Sequence, residues 1–243
     1  HGSKTTSIAN IIVKFLRIKH VSTMHGIKKN TAVYKKSSKT IVVSNIANET
    51  INNQGIVIKN WWSPDLPEEI DNAKEYALAI GRLEKVKGFD LLIKSWIGIE
   101  SKLVIVGSGD EYKNLKGLIS DNKLQEKISI VADLPFKELI KFYSKASILI
   151  VSSRNEGGPR VALEALYLKI PVISTNVGHM AEILPQELLA KPNDLESLRT
   201  LIHSYVGNNN INQDAIFRYV NEEYSLTKQS NKVIDIYKEL LVS

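Results

Sequence analysis

Beyond about residue 76, short apolar runs alternate with segments of helical periodicity. The apolar runs are YALAIG (76–81), KLVIVG (102–107), KISIV (127–131), SILIVSS (147–153) and IPVIST (170–175). They are rich in Ile and Val with little polar alternation, as expected for parallel strands covered on both faces. The amphipathic segments between them lie near 88–98, 110–121, 135–145, 159–168 and 178–184. This alternation predicts a doubly wound parallel α/β domain.

The residues before this domain use the same elements more sparsely. A helix is predicted over 5–18, followed by apolar runs at 21–24, 40–44 and 55–59. These elements make only about half of a second α/β domain, since a three-stranded sheet has a thin core and an unpaired edge. We therefore expect that the chain is the later part of a longer protein, or that another chain covers this edge.

The turn-rich sequence WWSPDLPEE (61–69) separates the two parts. We predict a partial Rossmann-like domain over 1–65, a Rossmann-like domain over 66–225, and an amphipathic helix over 226–243 that packs back on the first domain. The opening His1-Gly2-Ser3 matches the remnant of an affinity tag, and no role is built on it.

Composition and charge narrow the class of protein. The 243 residues are 43% hydrophobic, enough for one substantial core, and no run of about 18 apolar residues occurs that would span a membrane. The absence of cysteine excludes disulfides and thiolate metal sites and fits a reducing cytoplasm. A net charge of +6 favours anionic partners such as phosphates or acidic lipid surfaces, with a solvated, lysine-rich surface as the simpler alternative.

The sequence SSRNEGGPRVALEALYLKIPVIST (152–175) passes from a strand to a buried helix through a Glu-Gly-Gly-Pro turn. In open parallel sheets, ligands bind at the loops after the carboxyl ends of the strands. Pro159 suits the first helical position, so the unpaired N–H groups of the helix N-terminus face this loop and suit a phosphate. Gly157 and Gly158 leave the backbone accessible to a ligand.

Two glutamates flank this turn. Glu156 is predicted to project from the loop, and Glu164 to lie about one turn inside the helix. Carboxylates are poor ligands for phosphate but good acceptors for the hydroxyls of a sugar or ribose. The alternative is an ordinary first-turn acid, with Glu164 paired to Arg160 at the i, i+4 spacing.

Two cations follow the first strand of the same domain, in AIGRLEKVKGFDLLIKSW (79–96). Arg82 and Lys87 are suited to hold a diphosphate, Arg as a planar fork and Lys as a point charge, and solvated loop cations are the alternative. The next turn, VGSGDEYKNL (106–115), is similar to a dinucleotide fingerprint, but Tyr112 stands where the third glycine is required. We interpret it as a tight strand-to-helix turn.

Four segments, taken in order, carry a resemblance to a known family: IGRLEKVKGFDLLI, LVIVGSGDEYKNL, PFKELIKFYSKASILIVSSRNEGGPRVALEALYLKIPVISTNVGHMAEIL and EEYSLTKQSNKVIDIYKELL. They resemble the C-terminal half of glycosyltransferase family 4, which comprises retaining, nucleotide-sugar-dependent enzymes with two Rossmann-like domains (the GT-B fold). The segments VSTMHG, TIVVSN and GIVIKN are a weaker match to the latter part of the family's N-terminal domain. The resemblance implies that the chain is N-terminally incomplete.

The resemblance also implies roles for the charged residues. Glu156 and Glu164 match the family's E-x7-E motif, in which the first glutamate contacts hydroxyls of the donor sugar and the second binds the nucleotide ribose. Arg82 and Lys87 match the pair that neutralises the departing diphosphate. His25 resembles the N-domain histidine that reaches the donor sugar, and a structural role is its alternative.

Backbone groups complete the implied donor site. Gly157 and Gly158 match positions whose amides meet the donor and its phosphate, and Val131 matches a strand end whose backbone faces the base. The sequence departs from many relatives at Gly158-Pro159, where they carry Phe-Gly, which leaves the donor's identity open. The segment between His25 and Ser44 is short for the family, and the glycine-rich first loop of the family's N-terminal domain is absent. This chain is therefore expected to bind nucleotide yet transfer sugar poorly.

The resemblance implies a retaining hexosyl- or N-acetylhexosaminyltransferase of cell-envelope polysaccharide or lipopolysaccharide synthesis. No Asp-x-Asp occurs, and the cations supply positive charge, so we expect metal-independent transfer without a cofactor. A UDP-linked donor is favoured over a GDP-linked one. The lysines of HGIKKNTAVYKKSSK (25–39) suit a lipid-linked acceptor or an anionic membrane, with a solvated segment as the alternative.

Three other functions remain open. A non-catalytic nucleotide-sugar-binding subunit fits the half-size first domain, and a nucleotide-sugar epimerase of related fold fits the same donor site. A nucleic-acid-binding protein is supported only by the net positive charge. The chain has no arginine-rich recognition helix, zinc pattern or aromatic-basic ribonucleoprotein motif, so we expect no nucleic-acid partner.

Overall fold

The structure is a computed structural model that describes residues 3–28, 30–63, 65–71, 73–207 and 211–242. His1 and Gly2 of the predicted tag remnant lie outside the described residues. The strands are β1 (Val21–Met24), β2 (Lys39–Val42), β3 (Ile56–Val57), β4 (Tyr76–Ile80), β5 (Leu103–Val106), β6 (Ile128–Val131), β7 (Ala146–Val151), β8 (Val172–Thr175) and β9 (Leu189–Ala190). The helices are α1 (Ser3–Leu16), α2 (Asn45–Glu49), α3 (Phe89–Ser95), α4 (Tyr112–Asp121), α5 (Phe136–Tyr143), α6 (Arg160–Tyr167), α7 (Met180–Ile183), α8 (Leu195–Tyr205), α9 (Asp214–Glu223) and α10 (Leu226–Val242).

The larger sheet is six-stranded, with the order β6-β5-β4-β7-β8-β9 and every pair parallel. Its central strand β4 pairs with β5 on one side and β7 on the other, so Leu78 lies opposite both Val104 and Leu149. The chain winds outward from β4 to β6 and then returns to the other side of β4 to form β7. The predicted doubly wound α/β fold is confirmed, and its switch point lies between β4 and β7.

The strands of this sheet form because Val and Ile runs can be buried on both faces. All four residues of β5 and of β8 are buried, and the helices on the two faces close over them. Helix α6 turns Ala162, Leu163 and Ala165 into this core, and its only buried charged residue is Glu164. A carboxylate among buried apolar side chains is costly unless it is hydrogen-bonded, which marks Glu164 as unusual.

The smaller sheet has three parallel strands in the order β1-β2-β3. Helix α10 packs on it, where Ile236 joins Ile41 and Ile58 in a small apolar cluster. Lys39 forms an exposed ion pair with Glu239 of the same helix at 3.4 Å. The C-terminal helix therefore crosses from the larger sheet back to the smaller one. The boundaries predicted at residues 65 and 225 stay predictions.

Helix α1 turns its apolar stripe toward solvent. Ile11 is 72% exposed and Phe15 is 88% exposed, whereas Thr6 on the opposite side is buried. A cavity of about 1120 Å³ opens between α1 and the segment 33–38, and none of the predicted site residues lines it. In the part of the chain that the structure describes, no helix is both long and apolar enough to span a lipid bilayer.

The elements differ from the sequence-based predictions mainly at short or weakly patterned segments. Strand β9 and helices α2, α8 and α9 were not predicted. Helix α6 begins at Arg160, so Pro159 is the residue before the helix and not, as predicted, the first helical residue. The backbone of Pro159 is extended (φ −68°, ψ 111°). Because proline has no N–H to donate, placing it before the helix loses no helical hydrogen bond.

Candidate active site

The switch point of the larger sheet brings two predicted loops together. The loop after β4 carries Arg82 and Lys87, and the loop after β7 carries Glu156, Gly157 and Gly158. Both loops leave the carboxyl ends of adjacent parallel strands, which is where ligands of doubly wound sheets bind. Helix α6 starts beside them, and its N-cap residue, Pro159, makes no side-chain hydrogen bond to the first turn. Its N-terminal amides therefore remain able to donate to an anion.

Lys87 and Glu156 form an ion pair across these loops, although 69 residues separate them in sequence. Their side chains are 20% and 16% exposed to solvent, so water screens the charges of the pair only in part. Ser153 donates a second hydrogen bond to Glu156 Oε1 at 3.0 Å. A cation suited to a diphosphate and a carboxylate suited to sugar hydroxyls thus lie in direct contact.

Arg154, which the sequence analysis missed, holds the Lys87 loop in place. Its guanidinium forms two parallel 2.7 Å bonds with the carboxylate of Asp90 and donates to the Lys85 carbonyl at 2.6 Å. The hydrogen bond from Arg154 lowers the pKa of Asp90 against the opposing effect of burial, and the carboxylate stays ionised. Ser152 adds a 2.9 Å bond from its hydroxyl to the Lys87 carbonyl. The loop after β7 is therefore tied to residues 85–90 of the other loop and the start of α3.

Arg82 lies apart from this buried pair. Its side chain is 73% exposed and forms an ion pair with Glu84, two residues further along the same loop. Such an exposed pair contributes little to stability and is easily exchanged for another anion. The structure thus places Arg82 at the rim of the loop and Lys87 within it.

The two glycines of the turn are surrounded by protein. A Cβ atom on Gly157 would lie 1.9 Å from the carbonyl oxygen of His25, and one on Gly158 would lie 2.3 Å from Nδ1 of His179. The Gly158 carbonyl accepts a 2.8 Å hydrogen bond from the side chain of Asn60. The turn thus packs between the end of β1 and the segment before α7. Glycine is needed at both positions for this close packing as well as for access to a ligand.

Glu164 is 6% exposed, and its carboxylate has one hydrogen-bond partner among the described residues. The hydroxyl of Tyr143 donates to Oε2 at 2.9 Å. Burial raises the pKa of Glu164, while this hydrogen bond and the charge of Arg160 act in the opposite direction. Arg160 forms no ion pair with it in the described residues, and its Nε donates instead to the Trp61 carbonyl at 3.2 Å.

The two remaining predicted residues follow or end strands of different sheets. His25 follows β1 directly, is solvent-exposed, and has a pKa lowered by partial burial and by the charge of Lys28. Its carbonyl oxygen occupies the space that a Cβ on Gly157 would need, so the smaller sheet meets the turn at this residue. Val131 ends β6, and its carbonyl accepts from the Gly107 amide at 2.9 Å. The functional roles of both residues stay predictions.

A buried polar junction joins the two sheets next to the turn. Lys59 contacts Glu182 at 3.1 Å and donates to the hydroxyl of Tyr224 at 3.1 Å. Burial alone would lower the pKa of Lys59, but the bonds to Tyr224 and Glu182 raise it above its ordinary value. His179 is fully buried beside this cation, and neither ring nitrogen has a hydrogen-bond partner among the described residues. Burial and the charge of Lys59 lower the pKa of His179 to about 3.

The arrangement is suited to bind an anionic ligand that also carries hydroxyls. Lys87 contacts Glu156 near the start of α6, and Glu164 lies further along the same helix. The cation and the helix start suit a phosphate, and the carboxylates suit hydroxyls. No group of three His, Cys, Asp or Glu side chains able to hold a metal occurs in the described ranges.

Residues 65–219 match the family model of the group 1 glycosyl transferases. The chain belongs to this family. A relative from Methanocaldococcus jannaschii, an uncharacterised glycosyltransferase, is 31% identical over 214 residues, which cover 79% of this chain and 60% of the relative. The O-antigen biosynthesis glycosyltransferase WclY of Escherichia coli is 29% identical over 163 residues, covering 65% of this chain and 45% of the relative. The group 1 chain described here thus spans about half the length of the curated relatives it matches.

Solved structures show the GT-B fold for this group 1 glycosyl transferase. Anabaena HepE in complex with UDP superposes with a TM-score of 0.85 at 15% identity, over 98% of this chain and 77% of that one. Sucrose-phosphate synthase from Thermosynechococcus elongatus superposes with a TM-score of 0.81 at 20% identity, over 97% and 72%. The predicted α/β GT-B fold is confirmed.

Proposed function

We propose that this chain is the donor-binding part of a retaining glycosyltransferase of family 4, which transfers a hexosyl or N-acetylhexosaminyl group from a nucleotide sugar to an acceptor hydroxyl. The observation that carries the proposal is the contact between Lys87 and Glu156 at the switch point, beside the uncapped start of α6. The diphosphate and the sugar of a donor are joined by one bond, so their binding groups must be neighbours. Family membership supports the reaction class.

In the proposed reaction, the acceptor hydroxyl attacks the anomeric carbon on the face from which the nucleoside diphosphate leaves. The bond from that carbon to the diphosphate oxygen breaks, and the departing oxygen takes up the hydroxyl proton. Negative charge develops on the leaving diphosphate, and Lys87, Arg82 and the α6 amides supply the compensating positive charge. The same charge makes a metal unnecessary in this proposal. Glu156 binds sugar hydroxyls, Glu164 binds the ribose, and His25 approaches the sugar from the smaller sheet. Gly157, Gly158 and Val131 contribute backbone groups to the donor.

A UDP-linked donor and a cell-envelope product are the favoured substrates. The structures of HepE were obtained with UDP and with UDP-glucose, and those of two further neighbours are of a lipopolysaccharide galactosyltransferase, WaaB, and of TarM with UDP. WclY and the O-antigen mannosyltransferase RfbU of Salmonella typhimurium act in O-antigen assembly by their names. These likenesses support the choice of UDP and of polysaccharide or lipopolysaccharide synthesis.

We base the proposed class of acceptor on the charge of the N-terminal residues. The first 48 residues contain nine Lys or Arg and no acidic residue, a basic surface that suits a lipid-linked acceptor or peripheral contact with an anionic membrane. The open edge of β1 and the exposed stripe of α1 support a larger N-terminal domain in the whole protein. The half-size sheet also favours a second candidate, a nucleotide-sugar-binding subunit without turnover.

The proposal is tested by product analysis. The chain is incubated with UDP-glucose, UDP-galactose or UDP-N-acetylglucosamine, with EDTA and a panel of lipid-linked and free sugar acceptors. Acceptor-dependent release of UDP, with an α-linked product from an α-linked donor by proton NMR, is the expected result. An inverted product or a requirement for metal contradicts the proposed mechanism. Donor binding without any transfer favours the non-catalytic subunit, and a changed sugar nucleotide without acceptor favours an epimerase.

A further inference from the structure

The buried carboxylate of Glu164 depends on a residue from the preceding α/β unit. Tyr143 is the last residue of α5, lies 21 residues before Glu164, and is fully buried. The 2.9 Å distance between its hydroxyl and Glu164 Oε2 is that of an ordinary O–H···O bond, whereas the Val161 carbonyl lies at 3.5 Å. Because a phenol has one proton to donate, that proton goes to the carboxylate.

The bond has a fixed direction. Burial and the adjacent charge of Glu164 raise the pKa of Tyr143 well above its ordinary value, so the hydroxyl remains a donor at physiological pH. As long as Glu164 is ionised, its carboxylate is therefore the acceptor, through Oε2. Among the described residues no other group bonds to the carboxylate, and Oε1 keeps its capacity to accept from a ligand.

We propose that Tyr143 is a positioning residue for nucleotide binding, which holds one oxygen of Glu164 so that the other faces the ribose hydroxyls of the donor. The inference rests on the proposed function, because it assigns the ligand of Glu164. It goes beyond that function by placing part of the ribose specificity in a side chain that the ligand does not touch. Without Tyr143, the carboxylate would have to rotate or become protonated in its buried position.

The first test needs no ligand. The carboxyl group of Glu164 is followed by ¹³C NMR in the wild type and in Tyr143→Phe, with Glu164→Gln to assign the signal. Since the hydrogen bond lowers the pKa of this carboxyl against burial, its titration midpoint is expected to move to higher pH in Tyr143→Phe. An unchanged midpoint would overturn the inference, whatever the chain binds.

The second test uses nucleotides. UDP and 2′,3′-dideoxy-UDP are titrated by calorimetry into the wild type and Tyr143→Phe at pH 5.5 and 7.5. We expect about a tenfold loss of affinity for UDP at pH 7.5, a larger loss at pH 5.5, and little change for the dideoxy analogue. Equal losses for both nucleotides would indicate a merely structural role. Failure of the wild type to bind UDP would contradict the proposed function and leave the NMR result to decide the Tyr143–Glu164 coupling.

Tyr76→Phe is the matched control. Its hydroxyl donates to the Phe142 carbonyl at 3.2 Å, so the substitution removes a partly buried phenol bond one residue away from Tyr143 without touching Glu164. We expect its UDP affinity and the titration midpoint of Glu164 to equal those of the wild type. A loss in Tyr76→Phe as large as that in Tyr143→Phe would overturn the inference.

Discussion

We predict that the buried His179 makes the folded state less stable in acid. The side chain is fully buried, and neither ring nitrogen has a hydrogen-bond partner among the described residues, so the folded state accommodates only the neutral ring. Burial and the charge of Lys59 lower its pKa from 6.5 to about 3. The unfolded chain binds a proton at this histidine below pH 6.5, and the folded chain does so only near pH 3. The contribution of the neutral ring to stability is therefore complete above pH 6.5 and is lost as the pH falls.

The size of the effect follows from the two pKa values. A difference of about 3.5 pH units, at about 1.4 kcal/mol for each unit, corresponds to roughly 5 kcal/mol lost between pH 6.5 and pH 3. The slope attributable to one proton is about 1.4 kcal/mol per pH unit over most of this range. Since whole domains are stable by about 5–15 kcal/mol, acid uptake at this one residue removes a large share of the total.

The assay is urea unfolding followed by tryptophan fluorescence at pH 7, 6, 5 and 4, for the wild type and His179→Phe. Phenylalanine keeps the shape of the ring beside Tyr224, which His179 contacts edge-on at 5.4 Å between centroids, and removes the titration. The free energy of unfolding should fall less steeply with acid in His179→Phe, by about 1.4 kcal/mol per pH unit below pH 6. His203→Phe, at a solvent-exposed histidine of α8, controls for the substitution itself.

Parallel pH dependences for the wild type and His179→Phe would contradict the prediction. They would mean that the buried ring is protonated in the folded state, or that the junction opens before the chain unfolds. A loss of stability at pH 7 in His179→Phe does not bear on the prediction, because the prediction concerns the slope and not the intercept.

Two further substitutions test how the site is built. Gly157→Ala places a methyl group 1.9 Å from the His25 carbonyl oxygen and should destabilise the chain by about 1–3 kcal/mol in urea unfolding. The control Gly117→Ala, in a helix where a Cβ would meet nothing within 4 Å, should be neutral or stabilising, and equal effects of the two substitutions would show that the turn tolerates a side chain. Arg154→Met removes the guanidinium that pairs with the Asp90 carboxylate, and should lower the free energy of unfolding by about 2 kcal/mol and weaken UDP binding. The control Arg218→Met, at an exposed residue, should change neither, and an unaltered UDP affinity in Arg154→Met would show that the Arg154–Asp90 pair does not position the Lys87 loop.

The larger sheet could be predicted from the sequence because its strands are continuous Val and Ile runs that allow few alternatives. The confirmed doubly wound order places the loops at 82–87 and 156–158 side by side, so the candidate site followed from the topology. Strand β9 was missed because two residues make too short a pattern, and α9 because it buries only Val220.

The partners of the site residues could not be predicted in this way. The pairs Lys87–Glu156, Arg154–Asp90 and Tyr143–Glu164 join residues that are 69, 64 and 21 positions apart. Periodicity identifies which side of an element is buried, but the choice of partner depends on how separate elements pack. An available signal for Tyr143 was its position at the end of an amphipathic helix directly before a buried strand, where a hydroxyl requires a partner.

Calorimetric titration of UDP, without metal, into the wild type, Lys87→Met, Glu164→Gln and the control Lys85→Met measures directly whether the switch point binds a nucleotide. Lys85 lies on the same loop as Lys87 but points its side chain to solvent. We expect saturable one-site binding that both site substitutions weaken about tenfold or more and that Lys85→Met leaves unchanged. The absence of saturable UDP binding by the folded wild type, or equal affinity in all four proteins, would contradict a nucleotide-sugar site at the switch point.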